Sequence, residues 1–193
     1  TLEAIQNPQC GWFYTANQKD FEKIPGNSIA YWLSNKILPS LSKFPQLSTI
    51  CNTRKGLATS DNNRFLRLWY EVACSKSSYL TYQTQNKKWY PHNKGGEFRK
   101  WYGNNEYIIN WENDGYEIKN FKDESGKLKS RPQNLDYNFK QSVTWSKITS
   151  GSFSARICNG GFLFDDASAI CYSDNFDTLL NVISFLNTKI SRK

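Results

Sequence analysis

Residues 87–107 read KKWYPHNKGGEFRKWYGNNEY, a run that mixes cations with aromatic rings. Lys87, Lys88, Lys94, Arg99 and Lys100 stand among Trp89, Tyr90, Phe98, Trp101 and Tyr102, and before Asn104 only Glu97 opposes them. Cations of this density neutralise phosphates and release counterions. Adjacent glycines, Gly95 and Gly96, let a backbone approach an anion closely and offer bare N–H groups. The rings could stack on flat ligands, but for the tryptophans core packing is the expected role. For Lys88, Lys94, Gly95, Gly96, Arg99 and Lys100 the expected role is phosphate contact. Pro91 is expected to take WYPHN out of any strand, making the region a projecting loop.

Two further stretches carry related chemistry. RKGLATSDNNRFLR at 54–67 sets Arg54 and Lys55, two more phosphate candidates, before Asn62, Asn63 and Arg64. Asn suits the edge of adenine and Arg that of guanine, so these three are base-edge candidates. Asp61 equally reads as the cap of a helical turn beginning at Asn62. TWSKITSGSFSAR at 144–156 adds Ser146 and Lys147 as base-edge candidates near a tight turn.

Catalytic constellations are sparse. Asp114, Glu117 and Lys119 in NDGYEIK echo the acid and acid-x-Lys pair of metal-dependent nucleases. Asp114 is too near the pair, however, and a turn followed by an exposed strand is the expected structure. His92 is the one histidine, so a Ser-His-Asp or Cys-His arrangement would rest on that ring. Cysteines 10, 51, 74, 158 and 171 are odd in number and widely spaced, which argues against a disulfide framework or a zinc knuckle. Free thiols in a reducing cytoplasm are expected. No glycine-rich phosphate loop occurs.

The elements that position these residues are legible in part. NSIAYWLSNKIL predicts a helix with Ile29, Trp32, Leu33 and Ile37 on one stripe, Asn27 or Ser28 as cap and Pro39 as stop. SDNFDTLLNVISFLNTKI predicts another, with Phe176, Leu179, Leu180, Ile183, Leu186 and Ile190 inward and Ser173 or Asp174 as cap. Between them FLRLWYEV, EYIINW, VTWSKI, FSARI, GFLF and AICY read as short strands. NGG at 159–161 predicts a hairpin joining FSARI to GFLF, and DESGK at 123–127 another turn. The expected fold is α+β: a single domain over 1–193 with a twisted, mixed but mainly antiparallel sheet and flanking helices.

The whole chain is 193 residues with a net charge of +8, and 16% of it is aromatic. The charge is segregated: Arg54–Lys100 carries +7 and Lys119–Arg156 carries +5, whereas 157–187 holds four acids and no base. Such segregation is the footprint of a nucleic-acid-binding face. No apolar run is long enough to span a membrane, the start lacks the order of a signal peptide, and the chain has no Met. It reads as a cytoplasmic piece of something longer.

KGLATSDNNRFLRLWYEV, the 87–121 block, GKLKSRPQNLDYNFKQSVTWSKITSGSFSAR and GFLFD together resemble the C-terminal, target-recognition region of PglX-type enzymes. These are the adenine-specific DNA methyltransferases of the BREX phage-exclusion systems. FLNTK resembles the close of TaqI-like and type I specificity modules. The resemblance covers residues 13–189. It implies a domain that reads double-stranded DNA and is non-catalytic alone. S-adenosylmethionine and the Asn-Pro-Pro-aromatic motif would belong to a separate N-terminal methyltransferase domain; NPQC at 7–10 lacks the second proline and the aromatic. In these relatives a glycine is expected where Ser60 stands. Further partners would be other defence or restriction-modification proteins and DNA-mimicking phage inhibitors. Two alternatives remain from other classes: a nuclease built on Asp114, Glu117 and Lys119, and a protein-interaction module for acidic partners.

Overall fold

The structure, a computed structural model, describes residues 2–24, 26–31, 36, 38–79, 87–149 and 151–189. It resolves into two compact units, Thr1–Ile50 and Cys51–Lys193. The first unit carries four short helices, α1 (Leu2–Gln6), α2 (Gln18–Phe21), α3 (Leu38–Lys43) and α4 (Leu47–Ile50). The helix expected over 27–38 does not start at Asn27. Gly26 and Asn27 both have left-handed φ, 80° and 52°, and Ile29 is exposed in irregular backbone. Trp32, Leu33 and Ile37 lie outside the described residues. Pro39 sits in the first turn of α3 rather than after a helix, a position where its missing N–H breaks no helical bond.

The second unit is built on two four-stranded sheets. One has the order β1-β8-β5-β6, from β1 (Asn52–Arg54), β8 (Ser168–Tyr172), β5 (Ser142–Ser146) and β6 (Ala155–Cys158), all antiparallel. The other has the order β2-β4-β3-β7, from β2 (Leu66–Leu68), β4 (Tyr107–Asn110), β3 (Trp89–Asn93) and β7 (Leu163–Phe164). Only β3 and β7 in these sheets run parallel. The α+β class and mainly antiparallel pairing are as the sequence suggests.

Leu57, Phe65, Leu66, Tyr90, Ile109, Trp111, Ile118 and Leu163 form a continuous apolar core around the second sheet. α5 (Asn62–Phe65) feeds Phe65 into it, and α6 (Glu112–Lys119) feeds Ile118. α7 (Phe176–Leu186) lies against β5 and β6. Its buried face is Leu179, Val182 and Ile183, while Phe176 and Leu180 are exposed. Asn175, not Ser173 or Asp174, caps it by accepting from the Thr178 N–H. The expected stripe is therefore rotated, because the helix starts later than its polar leader implies; Ile190 is outside the described residues.

Four other expectations are overturned. WYPHN is a wholly buried strand, not a projecting loop. Trp111 N donates to Lys88 O, so in antiparallel register Tyr90 and His92 also face β4 with their hydrogen-bonding groups, and Pro91 does not. The missing N–H of Pro91 points to the other side, where β7 first pairs at His92. A proline there removes no ladder bond. NGG does not close a hairpin, because β6 belongs to one sheet and β7 to the other. NDGYEIK is helical rather than a turn and strand, with Asn113, Asp114 and Gly115 in left-handed φ. Finally, Cys51 and Cys171 form a disulfide across 120 residues of sequence, leaving Cys10, Cys74 and Cys158 free. Spacing alone hid the bridge; the β1–β8 pairing, which sets Thr53 opposite Cys171, brings the two sulfurs together. The DESGK turn forms as expected, with Asp123 N donating to Lys127 O at 2.9 Å.

Candidate nucleic-acid interface

Gly56 sets the geometry. A Cβ there would meet Phe164 O at 1.9 Å, so only glycine lets the chain run against β7. Leu57 N then donates to Phe164 O at 3.0 Å, and Asp166 N to Leu57 O at 3.0 Å. On the far side Ala58 exchanges both backbone bonds with Arg131. Ser60 follows with φ 61°, and its hydroxyl donates to Lys129 O at 2.6 Å. The serine's hydroxyl gives the left-handed turn an anchor that a glycine would lack. Asp61 accepts from Arg64 N at 3.0 Å and caps α5. The segment 58–62 is thus fixed as one wall.

The opposite wall comes from the end of β3, the end of β5 and the turn after β7. Together they enclose a cleft of about 340 Å³ lined by Ala58, Thr59, Ser60, Asn62, Lys94, Lys147, Ile148, Asp165, Asp166 and Ala167. Lys94 Nζ lies 3.6 Å from Asp165 Oδ2. Lys147 Nζ and Arg131 Nη2 lie 3.8 and 3.9 Å from Asp166 Oδ2, loose contacts that leave these cations available to a phosphate. Thr59 donates to Asn62 Oδ1 at 2.8 Å, which leaves the amide NH2 of Asn62 as a donor.

Asp165 is the buried anchor of the cleft. Its Oδ1 accepts from Ala167 N at 2.7 Å, and its Oδ2 faces His92 Nε2 at 3.3 Å. Burial alone would raise its pKa. The hydrogen bond from His92, the Ala167 N–H and the Lys94 charge outweigh that and hold it below the ordinary carboxylate value. An ionised carboxylate only accepts, so His92 Nε2 carries the proton. His92 is completely buried, and burial pushes its pKa down, partly countered by Asp165. It is neutral, a structural partner rather than a catalytic base open to substrate.

The sequence candidates divide accordingly. Asn62, Lys94 and Lys147 meet in the cleft. Ser146 stands behind it and fastens the glycine pair: its hydroxyl donates to Gly96 O at 2.8 Å and Gly96 N lies 3.0 Å from it. Gly95 and Gly96 adopt φ 65° and 143°. Arg64 is held by Glu117 at 2.6 Å and stacks between Phe65 and Phe121. Asn63 lends its carbonyl to Arg67. Arg54 lies over Tyr137, and Lys55 lends its carbonyl to Asn134. Lys88 pairs with Glu112 at 3.4 Å, Arg99 with Glu106 at 3.0 Å, and Lys100 donates to Asn187 O at 3.3 Å.

Sequence reading missed Thr59, Arg131, Asp165 and Asp166. Two adjacent aspartates in a base-free stretch were the available signal. The tryptophans split: Trp89 is buried in β3, whereas Trp101 is 53% exposed. Arg156 was equally unforeseen; it is fully buried, with Ser146 Oγ at 3.3 Å, while its Nε and Nη1 have no hydrogen-bond partner among the described residues.

The nuclease residues do not converge. Glu117 is engaged by Arg64 and by Asn110 Nδ2 at 2.8 Å, and Asp114 by Lys119 at 2.6 Å. Among the described residues no three His, Cys, Asp or Glu side chains group as a metal site. Nor is any described helix long and apolar enough to cross a membrane.

No protein-family model matches the chain. It is 43% identical over 195 aligned positions to an adenine-specific methyltransferase PglX of Lacticaseibacillus casei (strain Zhang), covering 98% of this chain and 16% of that protein. It is 41% identical over 180 positions to an adenine-specific methyltransferase BrxX of Escherichia coli O9:H4 (strain HS), covering 92% of this chain and 14% of that protein. The cleft and the two sheets around it are therefore similar, almost end to end, to one stretch of adenine-specific methyltransferases about six or seven times as long as this chain.

Proposed function

We propose that this chain is the double-stranded-DNA recognition domain of a site-specific adenine DNA methyltransferase acting in BREX-type phage defence. Methyl transfer from S-adenosylmethionine is assigned to a separate catalytic domain of the parent enzyme, which is also this domain's first partner. The observation that carries the reading is convergence. Asn62, Lys94 and Lys147 come from three stretches far apart in sequence and line one cleft with Thr59 and Ser60. Lys94, Lys147 and Arg131 supply phosphate contacts that fix register. The free NH2 of Asn62 and the carboxylate of Asp166 supply a donor and an acceptor for base edges in a groove. The reading is supported further by relatives named for adenine-specific methylation.

The test is the salt dependence of duplex binding between about 50 and 200 mM. The wild-type chain should bind short duplexes with affinity that falls steeply with salt. Lys94→Ala combined with Lys147→Ala should reduce the slope of log K against log salt by about two units, close to one for each phosphate that is no longer neutralised. A wild-type chain that binds an acidic protein but no duplex at low salt would overturn the reading in favour of a protein-interaction module.

A further inference from the structure

Trp101 is held in a costly backbone state and left in solvent. Its φ is 71°, a region that bulky side chains rarely occupy. Such strain persists only where the surroundings over-determine it, and it gathers at functional positions. Here the surroundings do so. Trp101 N donates to Ala155 O at 3.4 Å, and Ile157 N donates to Trp101 O at 2.8 Å. The loop on either side is fastened by Asn104 Nδ2 to Glu97 O at 3.0 Å, by the Arg99–Glu106 pair, and by Tyr79 Oη to Asn105 O at 2.8 Å.

A chain that needed only a turn would place glycine or asparagine there, as it does at Gly103 and Asn104, which also have positive φ. Nor does the core demand the ring. Trp101 is 53% exposed and has no ring–ring partner among the described residues, and Phe98 and Tyr102 beside it are 48% and 55% exposed. The ring's counterpart in the first KWY, Trp89, is buried.

We infer that Trp101, flanked by Tyr102, is a stacking residue that receives the face of an unstacked nucleobase in bound DNA. The inference rests on the DNA reading above and adds a contact to it. Arg99 and Lys100 immediately precede the ring and Lys94 stands seven residues before it, which suits an occupant that is flat-faced and anionic at once. Base–aromatic stacking is indifferent to sequence, because every base presents a π-face. Chemistry on an adenine requires that the base leave the duplex. A rigidly presented indole lowers the cost of that unstacked state without reading the base's edge.

The experiment measures binding of the whole chain to a short duplex carrying a central mismatch, alongside thermal melting. Trp101→Asn places a residue tolerant of positive φ at the strained position. It should melt at or above the wild-type temperature while losing ten-fold or more in affinity, with the salt slope unchanged. Trp101→Phe should keep most of the affinity. Trp101→Asn binding within two-fold of wild type overturns the stacking role, and so does a loss of affinity that tracks a fall in melting temperature. If the Lys94 and Lys147 variant loses its salt slope while Trp101→Asn is silent, the DNA reading stands and only the stacking role fails. If the wild-type chain binds no DNA, both fail.

Discussion

His92 is the chain's one histidine, and its position makes stability depend on pH. Complete burial lowers its folded pKa below the ordinary value near 6.5. The unfolded chain therefore takes up a proton between that value and the lowered one, while the folded chain does not. Stability is full above about pH 6.5 and is lost as pH falls through this window, by up to about 1.4 kcal/mol per pH unit. Asp165 adds to the trend only below the ordinary carboxylate value near 3.9, where its lowered folded pKa favours unfolding on further acidification. Chemical denaturation at pH 7 and pH 5 should show the loss. His92→Asn, which keeps an N–H donor for Asp165, should be less stable at pH 7 and much flatter across that range. A wild-type stability that is level from pH 7 to 5 would mean that His92 is not buried neutral.

At the scale of elements, the approach of residues 56–58 to β7 decides whether the cleft exists. Gly56→Ala forces a Cβ into Phe164 O and C, which are backbone atoms and cannot swing away. Overpacking of this kind costs about 3 kcal/mol. The variant should melt well below wild type and bind duplex more weakly, because Thr59, Ser60 and Asn62 move with the strand. Gly11→Ala, whose added carbon meets nothing within 4 Å, should change stability by less than about 0.5 kcal/mol.

The same scale shows what the sequence carries and what it does not. Strand identity in EYIINW, VTWSKI, FSARI and AICY follows from β-branched and aromatic runs between turn residues, and each forms within a residue or two. Pairing partners do not follow, since NGG has hairpin chemistry yet carries the chain from one sheet to the other. Pro91 misleads because a proline is forbidden only where its N–H would face a neighbour, and that parity depends on register. The cation-rich stretches named the cleft's Lys94, Lys147 and Asn62. They could not separate these from Arg64 or Arg99, whose acidic partners lie 53 and 7 residues away.

At the scale of the whole second unit, one covalent bond ties the front of the unit to its last strand. Cys51 stands just before β1 and Cys171 lies within β8, so the bridge fastens an edge strand whose continuation is the 56–62 wall of the cleft. Closing a loop across 120 residues removes much of the unfolded chain's freedom. The chain-entropy treatment puts the effect at about 5 kcal/mol for a loop of that length, an upper figure because denatured chains retain structure. The remaining thiols differ sharply. Burial pushes the Cys158 pKa up to about 12, so it stays a protonated, inert thiol, whereas Cys74 is exposed. Thiol titration of the native oxidised chain should therefore label Cys74 readily and Cys158 only after unfolding. Cys51→Ser should lower the melting temperature and weaken duplex binding together, since the freed strand carries Thr59, Ser60 and Asn62. If reduction or Cys51→Ser leaves both unchanged, the β1–β8 hydrogen bonds alone hold the wall, and the disulfide contributes nothing to the cleft.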